Sequence, residues 1–213
     1  MKLQIAIDNA NSSNIFDIVD PIADVIDIVE VGTPMVIKEG QTAVCMIKEK
    51  YPDLTVLSDS KIADGGALEC RYAVDAGADI ITVLAIAADQ TIQDVIDTAH
   101  AAGRKVMADL LSITDIRTRA VELKEMGADY IAVHTAFDVQ KTGRTPYGDL
   151  KQLLEVIPAD MCAVAGGVKL STVSDYAALR PGIIIAGGAL YNAPDVRSAV
   201  IEMKAKIALM EEK

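Results

Sequence analysis

Short apolar runs alternate along the chain with longer segments in which apolar residues recur every three or four positions. Runs of about five or six residues bounded by turn residues are typical of strands buried on both faces of a parallel sheet, and the longer segments are typical of amphipathic helices. We therefore predict eight strands in βα alternation. They cover residues 3–8, 26–31, 55–59, 79–84, 105–110, 129–134, 161–165 and 182–186.

Two further features fit an alternation of strands and helices. A Gly-Ala-Asp tripeptide repeats before two of the strands, and two helical segments show a clear buried face. The phrase Gly77-Ala78-Asp79 returns as Gly127-Ala128-Asp129, two βα units later, where each glycine ends a helix and the next residues open a strand. The apolar positions of the two helices are Ile92, Val95, Ile96 and Ala99 in residues 89–102, and Val196, Val200, Met203, Ile207 and Met210 near the end of the chain.

The strand count favours one closed barrel. A (β/α)8 barrel occupies about 200 to 250 residues as a single unit, which fits a chain of 213 residues. An open doubly wound sheet is the competing architecture, but no glycine-rich dinucleotide fingerprint follows the first strand. We predict an α/β fold, a (β/α)8 TIM barrel, with residues 1–213 forming one catalytic domain.

Composition and charge narrow the class of protein. Hydrophobic residues make up 51% of the chain and the formal net charge is −11, with no run of basic residues, which argues against a nucleic-acid partner. Three widely spaced cysteines match no metal motif and predict reduced thiols. The chain opens directly into a strand pattern and contains no apolar stretch of membrane-helix length, so we expect a cytoplasmic protein without membrane association.

Ionisable residues gather where the predicted strands end, which is where barrel enzymes place their active sites. Unpaired buried charges cost several kcal/mol, so a set of this kind favours function over a collection of structural ion pairs. The set consists of Asp8, Glu30, Asp59, Lys61, Asp64, Asp109 and His134.

Four of these side chains suit particular chemical roles. Glu30 and Asp59 end adjacent strands, and two carboxylates suit Mg²⁺, a hard cation that keeps part of its water shell; Mn²⁺ would accept the same oxygens. Lys61, flanked by Asp59 and Asp64, should stay protonated and stabilise developing negative charge, unless it forms only a surface ion pair. His134 could move protons near neutral pH, unless it is a buried structural histidine.

Two glycine pairs occupy equivalent positions after the seventh and eighth strands. Gly166-Gly167 and Gly187-Gly188 lie where barrels often bind phosphate through backbone N–H groups. An acidic protein could hold a phosphorylated substrate in this way without a basic patch.

Read together, Asp59-Ser60-Lys61-Ile62-Ala63-Asp64, the segment 29–34, Val133-His134-Thr135 and the two glycine turns resemble the orotidine-monophosphate decarboxylase superfamily, and within it the 3-hexulose-6-phosphate synthases. The resemblance implies an aldehyde-lyase that joins a phosphorylated ketopentose, D-ribulose 5-phosphate, to formaldehyde through a Mg²⁺-dependent 1,2-enediolate. It also implies that Glu30 and Asp59 bind the metal, Lys61 stabilises the enediolate and His134 transfers protons. A homodimer in which Asp64 reaches the partner's site is likewise implied.

Four positions bear on a neighbouring activity of the superfamily, 3-keto-L-gulonate 6-phosphate decarboxylation. That family has Glu where this chain has Asp109, and Arg where this chain has Phe137 and Gly188, which favours the synthase; Asn9 after Asp8 is more typical of the decarboxylase. An arginine can help deliver a proton to the carbanion left by CO₂. A catalytically silent phosphosugar-binding barrel and a ribulose-phosphate epimerase are weaker alternatives, since the catalytic set is complete and only two histidines are available.

Overall fold

The eight predicted strands are present and close into one parallel barrel in the order β1 to β8 in this computed structural model, which describes residues 1–211. Each strand pairs in parallel with its sequence neighbours, and β1 pairs with β8 to complete the circle. The (β/α)8 prediction is therefore confirmed. The strands are β1 Lys2–Ile7, β2 Ile28–Val31, β3 Thr55–Ile62, β4 Ile80–Leu84, β5 Lys105–Asp109, β6 Tyr130–His134, β7 Cys162–Ala165 and β8 Ile183–Ala186.

Helices form the outer layer. They are α1 Ile15–Val19, α2 Thr33–Glu39, α3 Thr42–Lys50, α4 Gly66–Asp75, α5 Asp89–Ala101, α6 Ile116–Met126, α7 Phe137–Gln140, α8 Tyr147–Leu154, α9 Val173–Ala177, α10 Gly188–Tyr191 and α11 Val196–Glu211. In α5 and α11 the predicted apolar faces are the buried ones, except that Val196 and Met210 are only partly buried. No helix within residues 1–211 is long and apolar enough to cross a membrane.

Two apolar cores follow from the alternation of side chains along each strand. Residues facing outward pack against the helices, and residues facing inward fill the barrel. The inner core is small and is built from Ala6, Ile28, Leu57, Ile80, Met107, Tyr130, Ala132, Ala163, Ile183 and Ile185. The next inward-facing residue on each of these strands lies at the carboxyl end of the strand. Because inward-facing positions recur every two residues, polar residues at these positions lie at the barrel mouth.

The aspartates of the repeated Gly-Ala-Asp sequence bind backbone amides at the amino ends of the strands, opposite the barrel mouth. The Asp79 carboxylate accepts a hydrogen bond from the Val56 amide at 2.9 Å, and the Asp129 carboxylate accepts one from the Val106 amide at 2.9 Å. Each aspartate therefore closes the start of the preceding strand, where a backbone N–H would otherwise lack a partner.

Candidate active site

The segment from Asp59 to Lys61 is the most irregular part of the barrel wall. Strand β3 was expected to end at Asp59 but continues to Ile62, and four steps along β3, from Ser58 to Ile62, match only two along β4. Lys61 has a φ of +44°, a left-handed conformation that is uncommon and costly for a residue with a side chain. The irregularity brings both Asp59 and Lys61 to the barrel mouth, and strained backbone of this kind is typical of functional sites.

The Lys61 ammonium lies between two carboxylates. Its Nζ is 2.7 Å from Asp59 Oδ1, 2.5 Å from Asp59 Oδ2 and 3.3 Å from Asp109 Oδ2. Burial disfavours the charged ammonium, but the negative charges of Asp59, Asp109 and Glu30 outweigh that effect and raise the pKa of Lys61 above its ordinary value. Lys61 is therefore a permanent cation at the base of the site.

Asp64 does not join this cluster within one chain, which corrects the expectation that it flanks the Lys61 ammonium. It follows the end of β3 in an exposed turn, and its carboxylate accepts a hydrogen bond from the Gly65 amide at 2.7 Å. The second acid at Lys61 is Asp109 from β5, because the irregular turn in β3 directs the lysine across the barrel instead of along the chain.

Two threonines hold the Asp59 carboxylate, and neither was singled out from the sequence. Thr33 Oγ1 donates to Asp59 Oδ2 at 2.6 Å, from the start of α2. Thr82 Oγ1 on β4 donates to Asp59 Oδ1 at 2.9 Å and accepts the Lys61 backbone N–H at 2.8 Å. A polar residue inside a strand that is buried on both faces was the available signal for Thr82.

His134 and Asp109 form a hydrogen-bonded pair at the ends of β6 and β5. His134 Nδ1 lies 2.9 Å from Asp109 Oδ2, and the Leu111 amide donates to Asp109 Oδ1 at 2.9 Å. Burial opposes ionisation of Asp109, but the hydrogen bond and charge of His134, together with Lys61, outweigh it and lower the pKa of Asp109. With Nδ1 engaged, the other ring nitrogen of His134 is left for proton transfer.

Glu30 and Asp8 complete the acidic side of the mouth. Glu30 is buried, and Gln4 Nε2 donates to its Oε2 at 2.5 Å. Burial, followed by the negative charges of Asp59 and Asp8, holds the pKa of Glu30 well above its usual range. Asp8 is an exposed residue, but the surrounding protein shields its carboxyl from part of the solvent, and this shielding and the charge of Asp59 raise its pKa.

Glu30 and Asp59 fit a magnesium ion by the chemistry of their donor set. Burial is the main cause of the raised pKa values of Glu30 and Asp8, and the negative charge of Asp59 adds to it. Within the part of the chain that is described, no three acidic, histidine or cysteine side chains form a complete ligand cluster. Mg²⁺ commonly uses one or two carboxylates and takes its other oxygens from water and substrate, so the pair is sufficient.

The two predicted glycine turns are built differently. Gly166 and Gly167 follow β7 with φ values of +98° and +80°, and a side chain at Gly166 would collide with the backbone oxygen of Thr135. Gly187 and Gly188 follow β8 and lead into the short helix α10. Both turns lie at the same end of the barrel as the acidic cluster, as expected for a phosphate site beside it.

Comparison with known proteins agrees with this geometry. The sequence model of the "Orotidine 5'-phosphate decarboxylase / HUMPS family" matches residues 1–203. The 3-hexulose-6-phosphate synthase 2 of Staphylococcus saprophyticus is 42% identical over 195 residues, which is 92% of each chain. The crystal structure of 3-hexulose-6-phosphate synthase from Salmonella typhimurium has a TM-score of 0.95 and 42% identity, with coverage of 99% of this chain and 100% of that one.

A decarboxylase of the same superfamily is more distant. The 3-keto-L-gulonate-6-phosphate decarboxylase of Vibrio cholerae has a TM-score of 0.85 at 25% identity, and 98% of each chain is covered. Both enzymes share the barrel, so the fold does not distinguish them. The higher identity to the synthases agrees with the residues at the barrel mouth, which also favour the synthase. This chain belongs to the orotidine 5'-phosphate decarboxylase / HUMPS family and is an enzyme similar to its 3-hexulose-6-phosphate synthases.

Proposed function

We propose that this enzyme joins D-ribulose 5-phosphate to formaldehyde in a reversible, Mg²⁺-dependent aldol reaction that forms D-arabino-hex-3-ulose 6-phosphate. The observation that carries the proposal is the Lys61 ammonium held between Asp59 and Asp109, with His134 bonded to the same Asp109 oxygen that faces Lys61. A fixed cation beside a proton-transfer group suits a reaction in which negative charge develops on a carbonyl oxygen as a neighbouring carbon loses a proton.

The proposed reaction has two steps. In the first, His134 removes a proton from carbon 1 of the ketose, the electron pair shifts toward the carbonyl at carbon 2, and Lys61 donates a hydrogen bond to the resulting enediolate oxygen. In the second, the carbonyl at carbon 2 re-forms as carbon 1 bonds to the carbon of formaldehyde, and the former aldehyde oxygen takes up the proton that His134 had removed. Asp109 orients the imidazole and supports its charged form through the contact at Nδ1.

Binding groups complete the proposal. Glu30 and Asp59 would hold Mg²⁺, which when bound supplies a Lewis acid for the adjacent oxygens of the sugar. Thr33 and Thr82 keep the Asp59 carboxylate in one orientation. Backbone N–H groups in the turns at Gly166-Gly167 and Gly187-Gly188 would bind the 5-phosphate. The phosphate would then anchor the substrate without any basic patch.

The decarboxylation of 3-keto-L-gulonate 6-phosphate is the second candidate, because it uses the same barrel and an enediolate. Phe137 begins α7 three residues after the end of β6 and is 75% exposed, and Gly188 begins α10 after β8. Neither side chain can deliver a proton at the mouth, as an arginine at these positions could through water. Addition to formaldehyde does not need such a group, so the residues favour the synthase.

The experiment supplies both substrates to the purified protein with Mg²⁺. One reaction contains D-ribulose 5-phosphate and formaldehyde, and the other contains 3-keto-L-gulonate 6-phosphate alone. We expect formaldehyde to be consumed in the first reaction and no CO₂ to be released in the second. Release of CO₂ without formaldehyde consumption would replace the synthase with the decarboxylase, and inactivity in both, with the phosphosugar still bound, would indicate a silent binding barrel.

We also propose that the enzyme is a homodimer in which Asp64 completes the partner's site. In the isolated chain the Asp64 carboxylate is exposed and does not touch Lys61. Leu68 and Tyr72, on the helix that follows, are four residues apart and each 57% exposed, which gives that helix an apolar surface suited to an interface.

Subunit complementation tests the shared site. Lys61→Ala and Asp64→Ala homodimers should each be inactive, but a mixed dimer would contain one intact site. Random re-association of equal amounts should therefore restore about a quarter of the wild-type activity. No recovery after confirmed exchange of subunits would place Asp64 outside the partner's site.

A cytoplasmic location is proposed on the chemistry of the cysteines. Cys45, Cys70 and Cys162 are all free thiols, and two of them are buried. Unpaired thiols are usual in reducing compartments. Cell fractionation with an antibody against the chain would test this location directly.

A further inference from the structure

Gln4 is a polar side chain in the part of the barrel that is otherwise apolar. It lies on β1, fully buried, on the same inward row as Ala6 and Asp8. Its strand neighbours in register are Ile28 and Ile185, which both belong to the inner apolar core. A buried amide in such surroundings is unfavourable unless its polar atoms are hydrogen-bonded.

Only half of this amide is satisfied. Gln4 Nε2 donates to Glu30 Oε2 at 2.5 Å, whereas Gln4 Oε1 is sealed from solvent and has no hydrogen-bond partner among residues 1–211. A leucine or methionine would fill the same space without the unmade hydrogen bond. The amide is therefore a poor choice for packing alone, and its one hydrogen bond is directed at the acidic site.

The hydrogen bond makes the two oxygens of Glu30 unequal. Gln4 Nε2, from the barrel interior, donates a hydrogen bond to Glu30 Oε2. Glu30 Oε1 accepts no side-chain or backbone hydrogen bond in the described chain and is not sealed from solvent. At metal sites, residues that hydrogen-bond to a metal-binding side chain fix the orientation of that side chain.

We propose that Gln4 is a positioning residue that holds Glu30 Oε2, so that Glu30 presents its other oxygen to the ion at the barrel mouth. The proposal rests on the proposed function in one respect, which is that Glu30 is a metal ligand. Gln4 itself touches neither the ion nor the sugar. Its effect should appear in the affinity for the metal and not in the affinity for the phosphate.

The test measures binding of Mn²⁺, a spectroscopically visible substitute for Mg²⁺, by electron paramagnetic resonance, with and without D-ribulose 5-phosphate and in the absence of formaldehyde. Gln4→Met removes the donor and keeps the approximate length of the side chain. Ile185→Val is the matched control, because it changes the packing beside Gln4 without touching Glu30. Glu30→Gln reports the loss of the ligand itself.

We expect Gln4→Met to weaken Mn²⁺ binding by about 10- to 100-fold, with Ile185→Val close to wild type and thermal unfolding of Gln4→Met no earlier than that of the control. Excess Mg²⁺ should restore much of the lost turnover, which a purely structural defect would not allow. If Gln4→Met does not fold, Gln4→Leu removes the same donor and is measured in its place.

Two results would overturn the inference in different ways. Wild-type affinity in the folded Gln4 variant, together with loss of binding in Glu30→Gln, would leave the metal site standing and remove Gln4 from it. An unchanged Mn²⁺ affinity in Glu30→Gln, or no binding by the wild type under either condition, would contradict the metal assignment in the proposed function and the role of Gln4 with it.

Discussion

Removing the hydroxyl of Thr82 should disturb the site at the point where its backbone is held. Thr82 Oγ1 accepts the Lys61 backbone N–H at 2.8 Å and donates to Asp59 Oδ1 at 2.9 Å, and the residue is buried. Thr82→Val has nearly the same shape but offers neither contact. The left-handed backbone at Lys61, with φ of +44°, would lose a hydrogen bond that opposes its relaxation.

The size of the effect follows from two losses. A buried N–H left without a partner costs about 1–3 kcal/mol, and a hydrogen bond to an ionised group contributes about 1.5–3 kcal/mol. Asp59 keeps its bonds to Thr33 and Lys61, so the second loss should be partial. We expect the free energy of unfolding to fall by about 2–4 kcal/mol, which lowers the Tm of a chain of this length by about 10 °C. A shifted Lys61 should reduce kcat by about 10- to 100-fold.

Thermal unfolding and steady-state kinetics, at one fixed protein concentration, check both numbers. Thr82→Ser is the matched control, because it retains the hydroxyl and loses only a methyl group. It should keep most of the activity and stability. The reasoning would be refuted if Thr82→Val lost less than about 1 kcal/mol, or if Thr82→Ser were as inactive as Thr82→Val.

Three further predictions concern individual residues of the site. Lys61→Ala should lower kcat by at least about 100-fold while calorimetry still detects ribulose 5-phosphate binding; unchanged turnover would remove the lysine from the mechanism. Asp109 has a lowered pKa in the folded protein, so its ionised form stabilises the fold above about pH 4, and this stabilisation is lost as the pH falls through the folded-state pKa. Asp109→Asn should therefore be less stable than the wild type at pH 7. In urea unfolding, the difference in stability between the two proteins should shrink below about pH 4. An unchanged difference across that range would contradict the paired state with His134. Gly166→Ala should destabilise the fold and weaken inorganic phosphate binding more than Gly167→Ala does, because only the first adds a methyl group against backbone; equal effects would contradict this geometry.

The barrel could be predicted from the sequence because its strands are buried on both faces and read as compact apolar runs. The same alternation explains why Glu30, Asp59, Asp109 and His134 were found: each lies on an inward row one step beyond the apolar core. The residues at which the strands end were harder to predict than the strands themselves. The extension of β3 to Ile62 depends on an irregular pairing with β4, which no local pattern specifies.

Contacts between distant segments could not be predicted in the same way. The pairing of Lys61 with Asp109 depends on the direction of one strained residue, whereas the sequence suggested its neighbour Asp64. Thr82 and Gln4 carry no charge, and a neutral polar residue within an apolar run does not by itself identify a partner. Their roles come from tertiary hydrogen bonds, which only the assembled barrel defines.

In the proposed reaction, the cluster of Lys61, Asp59, Asp109 and His134 makes carbon 1 of a phosphorylated ketose nucleophilic. The most direct measurement is proton exchange at that carbon, followed by NMR, when D-ribulose 5-phosphate is incubated with the enzyme and Mg²⁺ in D₂O without formaldehyde. We predict that wild-type enzyme exchanges one carbon 1 proton for deuterium and that Lys61→Ala, which still binds the sugar phosphate, does not. Bound substrate that keeps both carbon 1 protons through many turnover times, or equal exchange by the Lys61 variant, would contradict the account.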